Sequence, residues 1–193
     1  MVGNRLRTQI DRLVIPLGRG LGRAGLSANM LTGAGAGMIA IAGWFIARGR
    51  LFLGGWILCV GALSDLFDGA VARATRTESR FGSFLDSTID RVCDGILLSA
   101  LSWHLASSGA ASFGLALALG SLVSSLLTSY IKARAESLGF SCDVGLAERG
   151  ERLALIAGGL LFGVLVPALG VLFVVSVITA IQRLAHVWRQ EAG

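Results

Sequence analysis

The sequence predicts an all-α, polytopic membrane protein: six transmembrane helices preceded by an N-terminal amphipathic helix at the membrane interface. Three observations carry that expectation. Of the 193 residues, 54% are hydrophobic and only 15% charged, a balance unlike that of a soluble domain, and the mean hydropathy is +0.73. Several stretches reach the roughly 20 apolar residues needed to cross a bilayer. The basic residues also cluster in alternate intervals between those stretches, as the positive-inside rule requires.

Residues 1–28 read as a juxtamembrane segment. Arg5, Arg7, Asp11, Arg12, Arg19 and Arg23 interrupt it, which argues against the continuous apolar core of a cleavable signal peptide. Leu6, Ile10, Leu13, Val14 and Leu17 recur at helical spacing, so an apolar stripe can lie in the lipid surface while the arginines face headgroups. The membrane domain is expected over 29–193, with spans near 30–48, 51–73, 83–106, 111–133, 151–168 and 169–188. A tight turn is expected to divide the last two near Pro167 to Gly170. The 27 glycines and two prolines suit helices packed closely in lipid.

With the N-terminus inside, the inner segments hold Arg73, Arg76 and Arg80, then Lys132, Arg134, Arg149 and Arg152, then Arg189; the outer side keeps Arg48 and Arg50. Both termini are therefore expected in the cytoplasm of a multi-pass plasma-membrane protein. The net charge of +5 flanks apolar spans and forms no soluble patch interleaved with aromatics, so nucleic acid is excluded as a partner; membrane lipids and phosphorylated substrates fit better. Cys59, Cys93 and Cys142 fall in no CxxC or Cys/His spacing, which leaves a disulfide framework or structural zinc without support.

Four carboxylates stand where a membrane span makes them costly. Asp65 and Asp68 are three residues apart, Asp86 and Asp90 four apart, so each pair projects from one helix face. The short polar connection 74–81 would make the two helices antiparallel neighbours and bring the pairs together. Such a cluster needs counter-charge. Divalent cations supply it, and oxygen-only ligands favour Mg2+ or Mn2+ over zinc. Helix caps, ion-pair partners for Arg73, Arg76, Arg80 and Arg91, or a proton or sodium path are the competing readings. His104 and His186 lie apart from the cluster, and Asp94 continues its spacing one turn deeper.

Residues 65–90, DLFDGAVARATRTESRFGSFLDSTID, fit D-x2-D-G-x2-A-R-x8-G-x3-D-x3-D without a gap. The pattern fixes Asp65, Asp68, Gly69, Ala72, Arg73, Gly82, Asp86 and Asp90, and it resembles the signature of the CDP-alcohol phosphotransferases. The resemblance implies that Asp65, Asp68, Asp86 and Asp90 ligate two metal ions, with Asp90 also the general base. It further implies a CDP-lipid site drawing on Ser27, Asn29, Gly69, Arg73, Ser79 and Gly82. Ser27 and Asn29 equally fit an N-cap for the first span.

The motif says little about the acceptor alcohol. YIKARAES at 130–137, ERGERL at 148–153 and the later QRL resemble segments of the actinobacterial phosphatidylinositol phosphate synthases. That implies transfer from CDP-diacylglycerol to inositol 3-phosphate, releasing CMP, with Lys132, Arg134, Arg152 and Arg183 holding the acceptor phosphate. Anchoring to anionic lipid is the alternative for each cation, and the one assigned to Arg149. Glycerol 3-phosphate, as used by phosphatidylglycerophosphate synthases, fits the same charge. A membrane cation transporter using the aspartates is the alternative of another class. A homodimer is expected by family analogy, with GAGAG at 33–37 a candidate for close packing.

Overall fold

The computed structural model describes residues 20, 25, 27–75, 79–109 and 112–191, omitting the side chains of 64–75. The amphipathic segment expected over 1–28 therefore lies almost wholly outside the described residues. Six helices follow it: α1 (Ala28–Ala47), α2 (Leu51–Thr75), α3 (Arg80–Ser107), α4 (Ser112–Ser137), α5 (Arg149–Leu161) and α6 (Leu165–Glu191). No strand occurs among the described residues. Helices α1, α4 and α6 are long and apolar enough to cross a membrane, and Leu51–Leu63 forms a shorter apolar stretch of α2.

The turns follow local chemistry. After α1, Arg50 N donates to Phe45 O, and the chain reverses through Gly49 at φ 77°, a conformation glycine adopts without a Cβ penalty. The break between α5 and α6 falls at 162–164, not at Pro167 to Gly170 as the sequence suggests. Gly163, at φ 71°, supplies the left-handed residue, and Val164 N donates to Gly159 O. Pro167 sits in the first turn of α6, where its missing N–H costs no helical hydrogen bond.

Each helix packs on two others, in the cyclic order α1, α2, α5, α6, α4, α3 and back to α1. The expected meeting of the second and third helices falls on the polar end of α2, residues 64–75, whose side chains lie outside the described residues. Over the rest of their length α2 and α3 both lie against α1.

The ring is apolar inside over most of its length: Ile39, Ile46, Leu58, Leu97, Leu101, Leu169 and Leu172 are fully or almost fully buried in one cluster. Its outward faces carry Trp44, Phe52, Trp56, Trp103 and Phe113 in the open, as a lipid-facing surface requires. Where α3 enters the ring the apolar filling gives way to charge. Cys93 and Leu97 belong to the core, whereas Asp90 and the buried Asp94 lie beside Cys93 along the same helix.

Candidate functional site

Two helix starts form one edge of the site. Ser27 caps α1, its Oγ accepting from Met30 N at 3.2 Å, and Ser79 caps α3, its Oγ accepting from Gly82 N at 2.9 Å. The starts lie side by side because Gly82 has no side chain. A Cβ there would stand 3.0 Å from Ser79 Oγ and 3.6 Å from Asn29 Oδ1. Asn29, Ser79 and Gly82 thus come together, with Ser27 one turn away. The serine oxygens are engaged as caps, so what they contribute is the shape of the two helix ends.

Along α3, Asp86 is exposed, Asp90 has 19% of its side chain exposed and Asp94 10%. Carboxylates this enclosed need cations, and α5 supplies them. Arg149 Nη1 lies 2.6 Å from Asp90 Oδ1, and its Nε 3.6 Å from Asp94 Oδ1. Arg152 Nη2 donates to Asp94 Oδ2 at 3.2 Å, while its Nη1 donates to Thr128 Oγ1 at 3.2 Å and reaches Ser125 O at 3.4 Å. The two arginines are three residues apart at the start of α5, so they share a face. That start is fixed locally, Glu148 N donating to Glu151 Oε2 at 2.9 Å.

The loop between α4 and α5 closes the opposite wall. Arg183 Nε donates to Val144 O at 2.9 Å and Nη1 to Thr128 O at 2.6 Å, which ties loop, α4 and α6 together. Gln190 accepts from Ser141 N at 3.0 Å and donates to its carbonyl at 2.8 Å. Gly145 runs at φ 149°, and a Cβ there would stand 2.7 Å from Thr179 Cγ2. Lys132 Nζ meets Asp143 Oδ1 at 2.8 Å. That hydrogen-bonded ammonium holds Asp143 below the usual carboxylate range. Between these walls lies a cavity of about 520 Å³ onto which Asp90, Asp94, Lys132, Arg149, Arg152 and Arg183 all open.

The structure thus brings Lys132, Arg152 and Arg183 to one cavity with Asp90. Arg134 is exposed on α4 and does not line it. Arg149, assigned from sequence to lipid anchoring, lines the cavity and touches Asp90. Asp94 proves to be the carboxylate that both α5 arginines share. The signals were present: Arg149 is one turn before Arg152, and Asp94 one turn after Asp90. Asp65, Asp68, Gly69 and Arg73 belong to α2, but their side chains lie outside the described residues. His104 lies against the α1–α2 turn, its Cε1 3.7 Å from where a Gly49 Cβ would be, remote from the site.

Among the described residues no three potential ligands are grouped closely enough to hold a metal. The donor chemistry nevertheless fits a hard cation: Asp86 and Asp90 offer carboxylate oxygen one helical turn apart on α3, and Asp90 is already turned toward positive charge.

A family model described as CDP-alcohol phosphatidyltransferase matches residues 26–188. The chain is 38% identical over 194 residues to the archaetidylinositol phosphate synthase of Methanothermobacter thermautotrophicus, covering 97% of this chain and 94% of that protein. It is 37% identical over 202 residues to the phosphatidylinositol phosphate synthase of Mycobacteroides abscessus, covering 100% and 91% respectively. The fold is similar to the crystal structure of Mycobacterium tuberculosis phosphatidylinositol phosphate synthase with CDP-DAG bound, with TM-score 0.84, 36% identity and coverage of 92% of this chain and 94% of that one. A second structure of that enzyme, in complex with manganese and citrate, matches with the same TM-score and identity over 91% of this chain and 88% of that one.

Proposed function

The chain belongs to the CDP-alcohol phosphatidyltransferase family, and from that premise we propose that it transfers the phosphatidyl group of CDP-diacylglycerol to inositol 3-phosphate, giving phosphatidylinositol phosphate and CMP. It is a membrane transferase of phospholipid synthesis. The observation that carries the choice of a phosphorylated acceptor is the convergence of Lys132, Arg149, Arg152 and Arg183 on the cavity that also holds Asp90, and the similarity to inositol phosphate-type synthases favours inositol 3-phosphate over glycerol 3-phosphate. A neutral polyol needs no such array, whereas a phosphate is held by it.

Asp65, Asp68, Asp86 and Asp90 would hold two divalent ions, Mg2+ or Mn2+. Bound there, the ions supply counter-charge to the pyrophosphate of the donor lipid and polarise its phosphorus. Asn29, Gly69, Arg73 and Gly82, with the helix ends shaped by Ser27 and Ser79, receive the CDP-lipid. Arg152, Arg183 and Lys132, joined by Arg149, grip the acceptor phosphate and present its hydroxyl beside Asp90. A carboxylate oxygen of Asp90 takes the hydroxyl proton as the acceptor's own hydroxyl oxygen bonds to the lipid-side phosphorus. The bond from this phosphorus to the CMP oxygen breaks, and CMP departs. No covalent enzyme intermediate is needed, since holding the two substrates in line supplies much of the rate.

All six helices cross the membrane in this reading, with α2 and α5 completing their spans through the polar ends that build the site. Both termini and the cavity face the cytoplasm of the plasma membrane, and the protein works as a homodimer. Arg152→Ala should raise the KM for inositol 3-phosphate by about ten- to a hundredfold, the scale of lost hydrogen bonds to a charged group, with the KM for CDP-diacylglycerol unchanged. Equal rises in both KM values would contradict the assignment.

A further inference from the structure

Asp94 stands outside the eight-position pattern, yet among the described residues it is the most deeply placed carboxylate of the site, 7% exposed. Its two oxygens face two different arginines, Oδ1 toward Arg149 and Oδ2 toward Arg152. Helices α3 and α5 do not pack on each other among the described residues. Across that gap Asp90 and Asp94 pair with the α5 arginines. Arg152 is moreover held from three directions, by Asp94, by Thr128 Oγ1 and by Ser125 O. A guanidinium fixed in this way loses little further freedom when it takes up an anion.

We propose that Asp94 is a positioning residue of the acceptor subsite: it orients Arg149 and Arg152 toward the acceptor phosphate without touching either substrate. The inference rests on reading the cavity as the acceptor site. Three roles for Asp94 predict three different results on neutralising it. If it merely lowers the positive potential of the cavity, removing its charge strengthens phosphate binding. A purely structural role costs stability and leaves affinity unchanged in the folded protein. A positioning role weakens binding of the phosphorylated acceptor and spares the CDP-lipid.

The test uses the full-length protein and its near-isosteric variant Asp94→Asn. Two quantities are measured: the KM for each substrate, and the Kd for inositol 3-phosphate by calorimetry in the absence of CDP-diacylglycerol. The expected result is a rise of about tenfold in both the KM and the Kd for inositol 3-phosphate, the scale of one charge-assisted hydrogen bond, with the KM for CDP-diacylglycerol unmoved. An unchanged or lowered acceptor Kd overturns the proposal, as does a parallel rise in both KM values. If Asp94→Asn does not fold, Thr128→Val decides, since it removes another fastening of Arg152. It should weaken acceptor binding with the same selectivity, and an unchanged Kd overturns the proposal. The wild-type protein separates the two layers of inference. Equal affinity for inositol and inositol 3-phosphate defeats the acceptor-site reading and this proposal with it. Strong preference for the phosphate together with an unaffected Asp94→Asn variant defeats the proposal alone.

Discussion

Asp90 occupies the point where the two halves of the site meet: it closes the four-aspartate pattern and also contacts Arg149 of the cationic wall at 2.6 Å. Asparagine in its place keeps the shape and an acceptor oxygen for Arg149 but cannot take a proton. Asp90→Asn should therefore cut turnover by about 10²- to 10⁴-fold, the usual span for removing a general base, while the protein remains folded. Wild-type turnover in that variant at saturating metal would remove Asp90 as the base. At this scale, the sequence identified residues by their types and spacing within one helix. Lys132, Arg152 and Arg183, singled out from basic segments and their resemblance to the phosphatidylinositol phosphate synthases, line one cavity. Arg149 and Asp94 were underrated for one reason: their partners lie across a gap between helices, Arg149 meeting Asp90 and Asp94, and Asp94 meeting Arg149 and Arg152, which no spacing within one helix reveals. Arg134 failed in the opposite way, since its side of α4 faces outward.

Helix α5 carries Arg149 and Arg152 into the cavity proposed as the acceptor subsite, and its seating is set by small residues. A Cβ on Gly159 would stand 2.7 Å from Ala168 Cβ and 3.4 Å from Leu165 Cα, whereas one on Gly158 would meet nothing within 4 Å. Gly159→Val should destabilise the protein by about 1–3 kcal/mol through overpacking. It should also raise the acceptor KM, because it tilts the helix that carries Arg149 and Arg152. Gly158→Ala should be neutral or slightly stabilising, as alanine is the better helix former by about 0.5–1 kcal/mol. Thermal unfolding in detergent compares the two, and equal stability of the variants would refute the packing argument. The helices themselves were readable from hydropathy. The α5–α6 break was misplaced because a proline was read as punctuation, although in the first turn of a helix it interrupts nothing; the residue that reverses the chain is Gly163.

At the scale of the molecule, a ring of helices with lipid-facing aromatics outside and an apolar core within reserves its charged interior for one end. The all-helical class followed directly from composition, but the cyclic order of the helices did not. Short links predict that successive helices are neighbours, and that rule does not show that α1 also lies against α3 or that α2 lies against α5. The six-span arrangement predicts that, with Cys59, Cys93 and Cys142 replaced, a cysteine at Ser108 reacts with an impermeant thiol reagent from outside the cell, and one at Asp143 only after the membrane is opened. The reverse pattern would invert the topology and put the cavity on the wrong side for a cytoplasmic substrate. The most direct measurement of what the protein does is a competition assay in which the purified enzyme, CDP-diacylglycerol and Mg2+ or Mn2+ meet equal concentrations of inositol 3-phosphate, glycerol 3-phosphate, free inositol and serine. Phosphatidylinositol phosphate should dominate the lipid products, with CMP released in equal amount; dominance of phosphatidylinositol or phosphatidylserine would contradict the phosphate grip of Lys132, Arg149, Arg152 and Arg183, and dominance of phosphatidylglycerophosphate would contradict the choice of inositol 3-phosphate.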